Sequence, residues 1–335
     1  MAKKIGKYTY KLDSSINIVS SATVTGPKEK KGPYGKHFDL SYSELTCGEK
    51  SFEKAEKKLM KDAIEKALDC KKFTNNDVDV FIAGDLLNQI ITSNFTAAEL
   101  SIPFLGLFGA CSTFVEGLIV GSIFLESGCG ERVVTATSSH YAAVERQYRF
   151  PTEYGGQVPG YAQHTVTGAG STVLEVKKKG PSITHFTVGK VYDKGIKDPY
   201  DMGSAMAPSA ADTLKNIFDD TNQNPEDFDL ILTGDLGQVG SKILKDLLNE
   251  GGYFLGTNYM DCGAEIYGDD PSALSGGSGC SCSALMTLGY YLKQNEYKKI
   301  IIVATGSLHS PTSYQQGNSI PTIAHGVIIE KKEDM

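Results

Sequence analysis

The sequence predicts an α/β protein made of two duplicated halves, and three observations carry that reading. Strand-like and helix-like segments alternate along the chain, the pattern of sheets covered by helices. "NDVDVFIAGDLLNQ" at 76–89 recurs as "EDFDLILTGDLGQ" at 226–238, which aligns Asp79 with Asp229, Gly84 with Gly234 and Asp85 with Asp235. A cysteine–serine pair before a helix, followed by an apolar strand ending in histidine, also occurs twice: Cys111-Ser112 with "RVVTATSSH", and Cys280-Ser281 with "IIIVATGSLH". Such doubling marks a tandem repeat. The expected halves are 1–180 and 181–335, packed about a pseudo-twofold axis with their equivalent helices side by side in the middle.

The elements follow in order. "SINIVSSATV" reads as a strand, and 51–70 repeats apolar residues at helical spacing behind a serine cap. "DVDVFIAGD" is a short buried strand ending in an acid. The segment "LGLFGACSTFVEGLIVGSIFLESG" (105–128) places Cys111 between an apolar run and an apolar helix notched by Gly117 and Gly121. Those notches are expected to let the two central helices approach closely, and the absence of charge around them suits a helix covered on all sides. "ERVVTATSSH" is the next strand. A region rich in Gly, Pro, Tyr and Gln, 141–170, then reads as a long loop, and loops of that length are usually functional or interface-forming. Its "GAGS" at 168–171 lacks the strand-before, helix-after context of a dinucleotide site and reads as a turn. In the second half "PSAADTLKNIFDDT" and "SKILKDLLNE" supply helices, "KKIIIVATG" and "TIAHGVIIE" strands.

Composition removes several function classes. With 335 residues, 40% apolar, 22% charged and a net charge of -7, the chain has ample core material and no basic stripe for nucleic acid. Seven cysteines form no CxxC pair, so neither a disulfide framework nor a zinc ribbon is expected, and a reducing compartment is. The lysines near the amino terminus lack an apolar segment behind them, so no signal peptide is expected. The longest apolar segment is about half of the roughly 20 residues that a spanning helix needs. Residues 1–36 are locally basic, a patch suited either to an anionic membrane surface or to simple solvation.

A thiol at a strand-to-helix seam is where α/β folds keep ligand and catalytic groups, and a helix amino terminus favours a thiolate. The duplicated pattern, with Cys111 heading the first central helix, resembles the thiolase and ketoacyl synthase superfamily. That resemblance implies a five-layered α-β-α-β-α arrangement and an acyl-accepting cysteine helped by histidine. The stretch "GTNYMDCGAEIYGDDPSALSGGSGCSCSA" (256–284) contains no histidine. Asp261 stands about where the general base is expected, and Ser278 where the superfamily's turn carries asparagine. An acid near a thiol disfavours the thiolate. His140, His164, His309 and His325 remain able to approach, His140 and His309 each following a strand.

Long strings, among them "FGACSTFVEGL", "SSHYAAVERQYRFPTEYGGQVPGYAQ" and "SPTSYQQGNSIPTIAHGVIIE", resemble more closely the stage V sporulation protein AD family, thiolase-fold proteins of spore-forming bacteria. What this implies is a non-catalytic role: binding dipicolinic acid and supporting its uptake into the developing spore, with the membrane-embedded products of the same operon. It further implies cytosolic synthesis, a peripheral place at the spore inner membrane and, from the superfamily, a homodimer built on strand-edge pairing after the "VVTATSSH" strand. The ligand residues expected on this reading are Cys111, Asp261, Ser278, Arg146, Arg149, His140, Ser307 and His309. Two carboxylates would meet converging helix amino termini and the planar forks of Arg146 and Arg149; alternatively, those arginines pair with Glu145 or Glu153. No cofactor and no metal site is expected, with calcium possible as a co-ligand of the dianion. Two rival readings stand: a condensing enzyme with Cys111 as nucleophile, and a scaffold for membrane partners that holds no ligand.

Overall fold

The computed structural model of the chain describes residues 2–148 and 158–331. Ten strands run edge to edge in one path, and the path is two copies of the same order. The first copy runs Phe104–Gly106, Val80–Asp85, Arg132–Ser139, Gly168–Val176, Thr9–Thr25. The second runs Tyr259–Asp261, Leu230–Thr233, Lys299–Ser307, Thr322–Glu330, Ser182–Thr187. The two sheets join where Thr9–Lys11 and Ile16–Asn17 pair antiparallel with the strand Ser182–Thr187. The strand Thr9–Thr25 is long enough to serve both neighbours.

The sheets are mixed rather than parallel throughout. In each half three strands are parallel and two are antiparallel. After Ser139 and after Ser307 the chain re-enters from the same end of the sheet, and antiparallel pairing follows.

Strand alternation sorts the core into layers. Phe81, Val134 and Val173 face outward onto the helix Phe52–Asp69 with its Leu59, Ala63 and Ile64. Their neighbours Ile82, Val133 and Leu174 face inward. In the second half Ile231, Ile301 and Val303 meet the helix Met202–Thr221 on the outside, while Leu232, Ile300 and Ile302 face inward. Between the sheets lie the helices Thr113–Glu126 and Cys280–Gly289, whose Val115, Leu118, Leu285 and Leu288 complete the middle. This is the five-layered order expected. Each large side chain buried this way contributes about 1.5–3 kcal/mol.

The glycine notches act differently from the expectation. A Cβ on Gly121 would fall 2.9 Å from Leu174 Cδ1 and 3.2 Å from Val133 Cγ1, and one on Gly117 would lie 3.6 Å from Thr135 Cβ. Both glycines therefore seat the helix on its own sheet, not against the other central helix. The "GAGS" segment is likewise no turn. It opens the buried strand Gly168–Val176, where a Cβ on Gly170 would meet Ala284 Cβ at 2.7 Å. The region read as a long loop contains the helix Tyr141–Tyr148, whose Ala143 and Val144 are buried. Among the described residues no helix is long and apolar enough to cross a membrane.

Candidate functional site

The corner at Cys111 is set by backbone and hydroxyls together. Leu107 passes close over the strand end, so that a Cβ on Gly84 would lie 2.2 Å from its oxygen. Ala110 takes a φ of +50°, a left-handed conformation unusual for a residue with a side chain. The turn Ala110–Ser112 then leads into the helix. Ser112 Oγ donates to Gly109 O at 2.7 Å and Thr113 Oγ1 to Ala110 O at 2.6 Å, which locks the corner.

Cys111 faces a cavity of about 50 Å³ between the two halves. The first half supplies Phe108, Val144, Tyr148 and Thr165 to its wall; the second supplies Met202, Met206, Asp235, Ser278, Ser307 and His309. Much of the wall is apolar, with a few convergent polar groups, the composition of a small-molecule site. The volume is below the 150 Å³ of the engineered lysozyme cavity that admits benzene, so a dicarboxylated ring enters only if wall side chains move.

Asp235 meets the thiol. Its carboxylate accepts from Thr305 Oγ1 at 2.7 Å and from the Gly279 N–H at 3.1 Å, and it lines the same cavity as the Cys111 thiol. Gly279, at φ +110°, has Ser139 Oγ 2.7 Å from where a Cβ would sit, so glycine alone lets that N–H reach in. Burial pushes the Asp235 carboxyl up to about 7, opposed by its hydrogen bonds and aided by nearby Asp261. Burial first, then the Asp235 charge, holds the Cys111 thiol well above its ordinary range. The helix amino terminus does not win at this position. The thiol is kept protonated.

Asp261 is committed elsewhere. It accepts from Thr233 Oγ1 (2.7 Å) and from the N–H groups of Leu236 (2.9 Å), Gly237 (2.8 Å) and Ala264 (2.9 Å), so it caps the short helix Cys262–Ile266 and ties down the 236–237 turn. It does not line the cavity. Burial raises its carboxyl to about 6.

The structure brings together Cys111, Ser278, Ser307 and His309 of the residues expected from the sequence. Ser307 Oγ donates to Met202 Sδ at 2.9 Å, and His309 lies against Tyr148 with ring centres 5.4 Å apart. His140 is buried away from the cavity, with Nε2 2.7 Å from Leu45 O and its ring stacked on Phe52. Arg146 pairs with Glu53 on the surface, not with Glu145. Arg149, and Glu153 with it, lie outside the described residues. Asp235 and Tyr148 enter the site without having been expected there. Asp235 carried a signal, as the acid ending the repeated "GD" strand. Among the described residues no group of three or more His, Cys, Asp or Glu is arranged to hold a metal ion.

The second helix head is the counterpart of the first. Cys280 lies within reach of the Asp85 charge, but Asp85 is closed off by the Ser93 N–H and hydroxyl (2.8 and 2.6 Å) and the Leu87 N–H (3.0 Å). Burial holds Glu56, beside it, well above the ordinary carboxylate range.

Solved structures of low identity share this fold. 3-Oxoacyl-[acyl-carrier-protein] synthase III from Aquifex aeolicus matches with TM-score 0.59 at 14% identity, over 95% of this chain and 99% of that one. Human mitochondrial 3-ketoacyl-CoA thiolase, solved with CoA, matches with TM-score 0.59 at 13% identity, over 96% and 99%. At such identities the likeness speaks for the fold alone. Stage V sporulation protein AD of Bacillus subtilis (strain 168) is 51% identical over 332 residues, 98% of each chain. The sequence model of the Stage V sporulation protein AD (SpoVAD) family matches residues 6–330, and the chain belongs to that family.

Proposed function

We propose that the Cys111 cavity binds dipicolinic acid, pyridine-2,6-dicarboxylate, without transforming it, and that the protein thereby supports uptake of this dianion into the developing spore. The observation that carries this reading is the placing of the Cys111 thiol and the Asp235 carboxyl on the wall of one cavity. A condensing enzyme needs a thiolate, and here both burial and a facing carboxyl oppose one. The same thiol, the Asp235 carboxyl in its neutral form, the Ser278 and Ser307 hydroxyls and the ring of His309 are groups that donate to carboxylates, while Phe108 and Tyr148 offer faces to a flat ring. Calcium, in this reading, arrives on the ligand's own oxygens, with Asp235 as the single carboxylate lining the cavity among the described residues.

The protein works beside membrane-embedded partners at the spore inner membrane on this proposal, and as a homodimer. The strand Arg132–Ser139, expected beside the dimer edge, is paired on both sides; supporting a dimer instead, Phe104–Gly106 pairs among the described residues on one side only, with Val80–Asp85, and Leu105 and Phe108 are 44% and 46% exposed. Unpaired apolar edges of this kind are usually covered.

Calorimetric titration of the full chain with dipicolinic acid, with and without calcium, tests the ligand. Binding is expected in at least one condition, and heat-free titrations in both defeat the proposal. The competing reading, acyl transfer, requires an acyl-coenzyme A to add covalently to Cys111 and the mass increment to vanish in Cys111→Ala. No such increment is expected.

A further inference from the structure

We infer that the cavity takes its anion together with one proton, which Asp235 carries; this rests on the reading of the cavity as a carboxylate site. The charge inventory drives it. Among the described residues lining the cavity there is one carboxyl, Asp235, one imidazole, His309, and no lysine or arginine. Arg146 is turned outward onto Glu53. Behind Asp235 stands Asp261, and across the axis, beside Cys280, stand Asp85 and Glu56. The other titratable groups lining this space among the described residues are the Cys111 thiol and the Tyr148 phenol, with the Cys280 thiol nearby on the Ala110 oxygen, and burial disfavours the charged form of each.

Among the described residues, the formal charge nearest to an incoming dianion is therefore negative. Like charges held close in a poorly solvated cavity do not both persist. The hydrogen bonds of Asp235 allow the alternative. Thr305 Oγ1 occupies one position on Oδ1 and the Gly279 N–H one on Oδ2. A carboxyl has about four acceptor positions, so one oxygen can still carry a proton and point it at the ligand. Protonation thus replaces a repulsion with a donor. In the ligand-free protein burial already brings this carboxyl to about 7, so a small bias from the ligand completes the proton's uptake.

The test is calorimetry of the full chain with pyridine-2,6-dicarboxylate at pH 8 and pH 6, in Tris and in HEPES, whose ionisation enthalpies differ. The dependence of the binding enthalpy on buffer is expected to report uptake of close to one proton at pH 8 and close to none at pH 6. The dissociation constant should rise about tenfold per pH unit above 7. Asp235→Asn is expected to bind without buffer dependence, and His309→Gln to keep it. Heat that is the same in both buffers at pH 8 overturns the inference and leaves the carboxylate site standing. Uptake that disappears in His309→Gln and survives in Asp235→Asn overturns it by moving the proton to the imidazole. Absence of heat at both pH values overturns the carboxylate site, and this inference with it. The buffer series on the unmodified chain decides the matter even where Asp235→Asn folds poorly.

Discussion

Cys280 donates its thiol hydrogen to the backbone oxygen of Ala110 across 2.9 Å, so the head of one central helix holds the residue that positions Cys111 at the head of the other. The contact belongs to a larger exchange across the pseudo-twofold axis. Cys111 of the first half meets Asp235 of the second, and Cys280 of the second lies in the field of Asp85 of the first. The two pairs had equal starting points and have different ends. Asp85 spends its oxygens on Ser93 and Leu87 and is sealed, whereas Asp235 lines a cavity. One pair opens onto a cavity, and its counterpart forms a structural joint.

Removing the joint should cost stability. Cys280 has no exposed surface, so Cys280→Ala leaves a small void and an unpaired Ala110 oxygen, together worth about 1–2 kcal/mol. Cys111→Ala enlarges a cavity that already exists and should cost under about 1 kcal/mol. Urea denaturation of both variants checks the order. Equal midpoints would mean that the inter-helix contact holds nothing.

Thiol chemistry gives a second expectation. Cys70 and Cys129 are exposed, while the Cys111 thiol is held protonated by burial and by Asp235. At pH 8 iodoacetamide should modify Cys70 and Cys129 well before Cys111, read peptide by peptide in a mass spectrometer. Asp235→Asn removes the second of the two causes and should speed Cys111 modification several-fold. A Cys111 that reacts first in the unmodified protein would restore the nucleophile reading.

The sequence made the repeat, the seam and the layer order legible because each is a local or periodic property: an apolar run, a glycine turn, an acid at a strand end. What it hid were pairings between distant residues. Asp261 looked like a base because it stood in the right interval, but the same Asp before "CGAE" is also a helix cap, and the cap won. Arg146 found Glu53, far away on another helix, which no spacing rule reveals. Asp235 was visible as the partner of Asp85 in the repeat; what could not be read was that the pseudo-twofold axis would turn it toward the cysteine of the opposite half. Helical periodicity said that Gly117 and Gly121 share a packed face without saying whether sheet or helix covers it.

Those glycines separate cleanly by experiment. Gly121→Ala places a methyl 2.9 Å from Leu174 Cδ1, with Val133 Cγ1 at 3.2 Å and Thr135 Cγ2 at 3.3 Å, and the buried strand behind them has little room to yield. A loss of about 1–3 kcal/mol is expected. Gly117→Ala meets its nearest neighbour, Thr135 Cβ, at an ordinary 3.6 Å and gains helix propensity, so it should be neutral or stabilising by up to about 1 kcal/mol. Thermal denaturation of the two variants, if it ranked them the other way, would refute this account of how the helix seats on its sheet.

The raised carboxyl of Asp235 fixes the sign of a pH effect. It goes from an ordinary 3.8 to about 7 in the folded chain, so the folded state binds more protons than the unfolded one between those values. Its contribution to stability is therefore complete below about pH 4 and is lost as pH rises through about 7. Asp235→Asn has no such proton to lose. The stability of the unmodified chain relative to this variant should shrink from pH 5 to pH 8, with a slope difference of at most one proton, measured by denaturant titration at each pH. A gap that widens with pH would place the ionised, not the neutral, carboxyl in the folded protein.

Entry to the cavity should depend on Tyr148. Its hydroxyl donates to Leu86 O at 2.5 Å, which ties the ring down along the cavity wall beside His309. Tyr148 and Phe108 also border a second hollow of about 310 Å³ lined by Asn88, Gln89, Ile90 and Ser310, so the two rings stand between an outer chamber and Cys111. The outer wall is strained: Gln89 and Ile90 have φ of +53° and +47°, costly for a β-branched residue. Tyr148→Phe keeps the ring and deletes the tether, whose net worth as a hydrogen bond is about 1 kcal/mol. Modification of Cys111 by a bulky aromatic disulfide should accelerate several-fold in this variant, while a small methylthiolating reagent gains less. Equal acceleration for both reagents would locate the change in the thiol itself, and no acceleration for either would show that the route to Cys111 runs past other side chains.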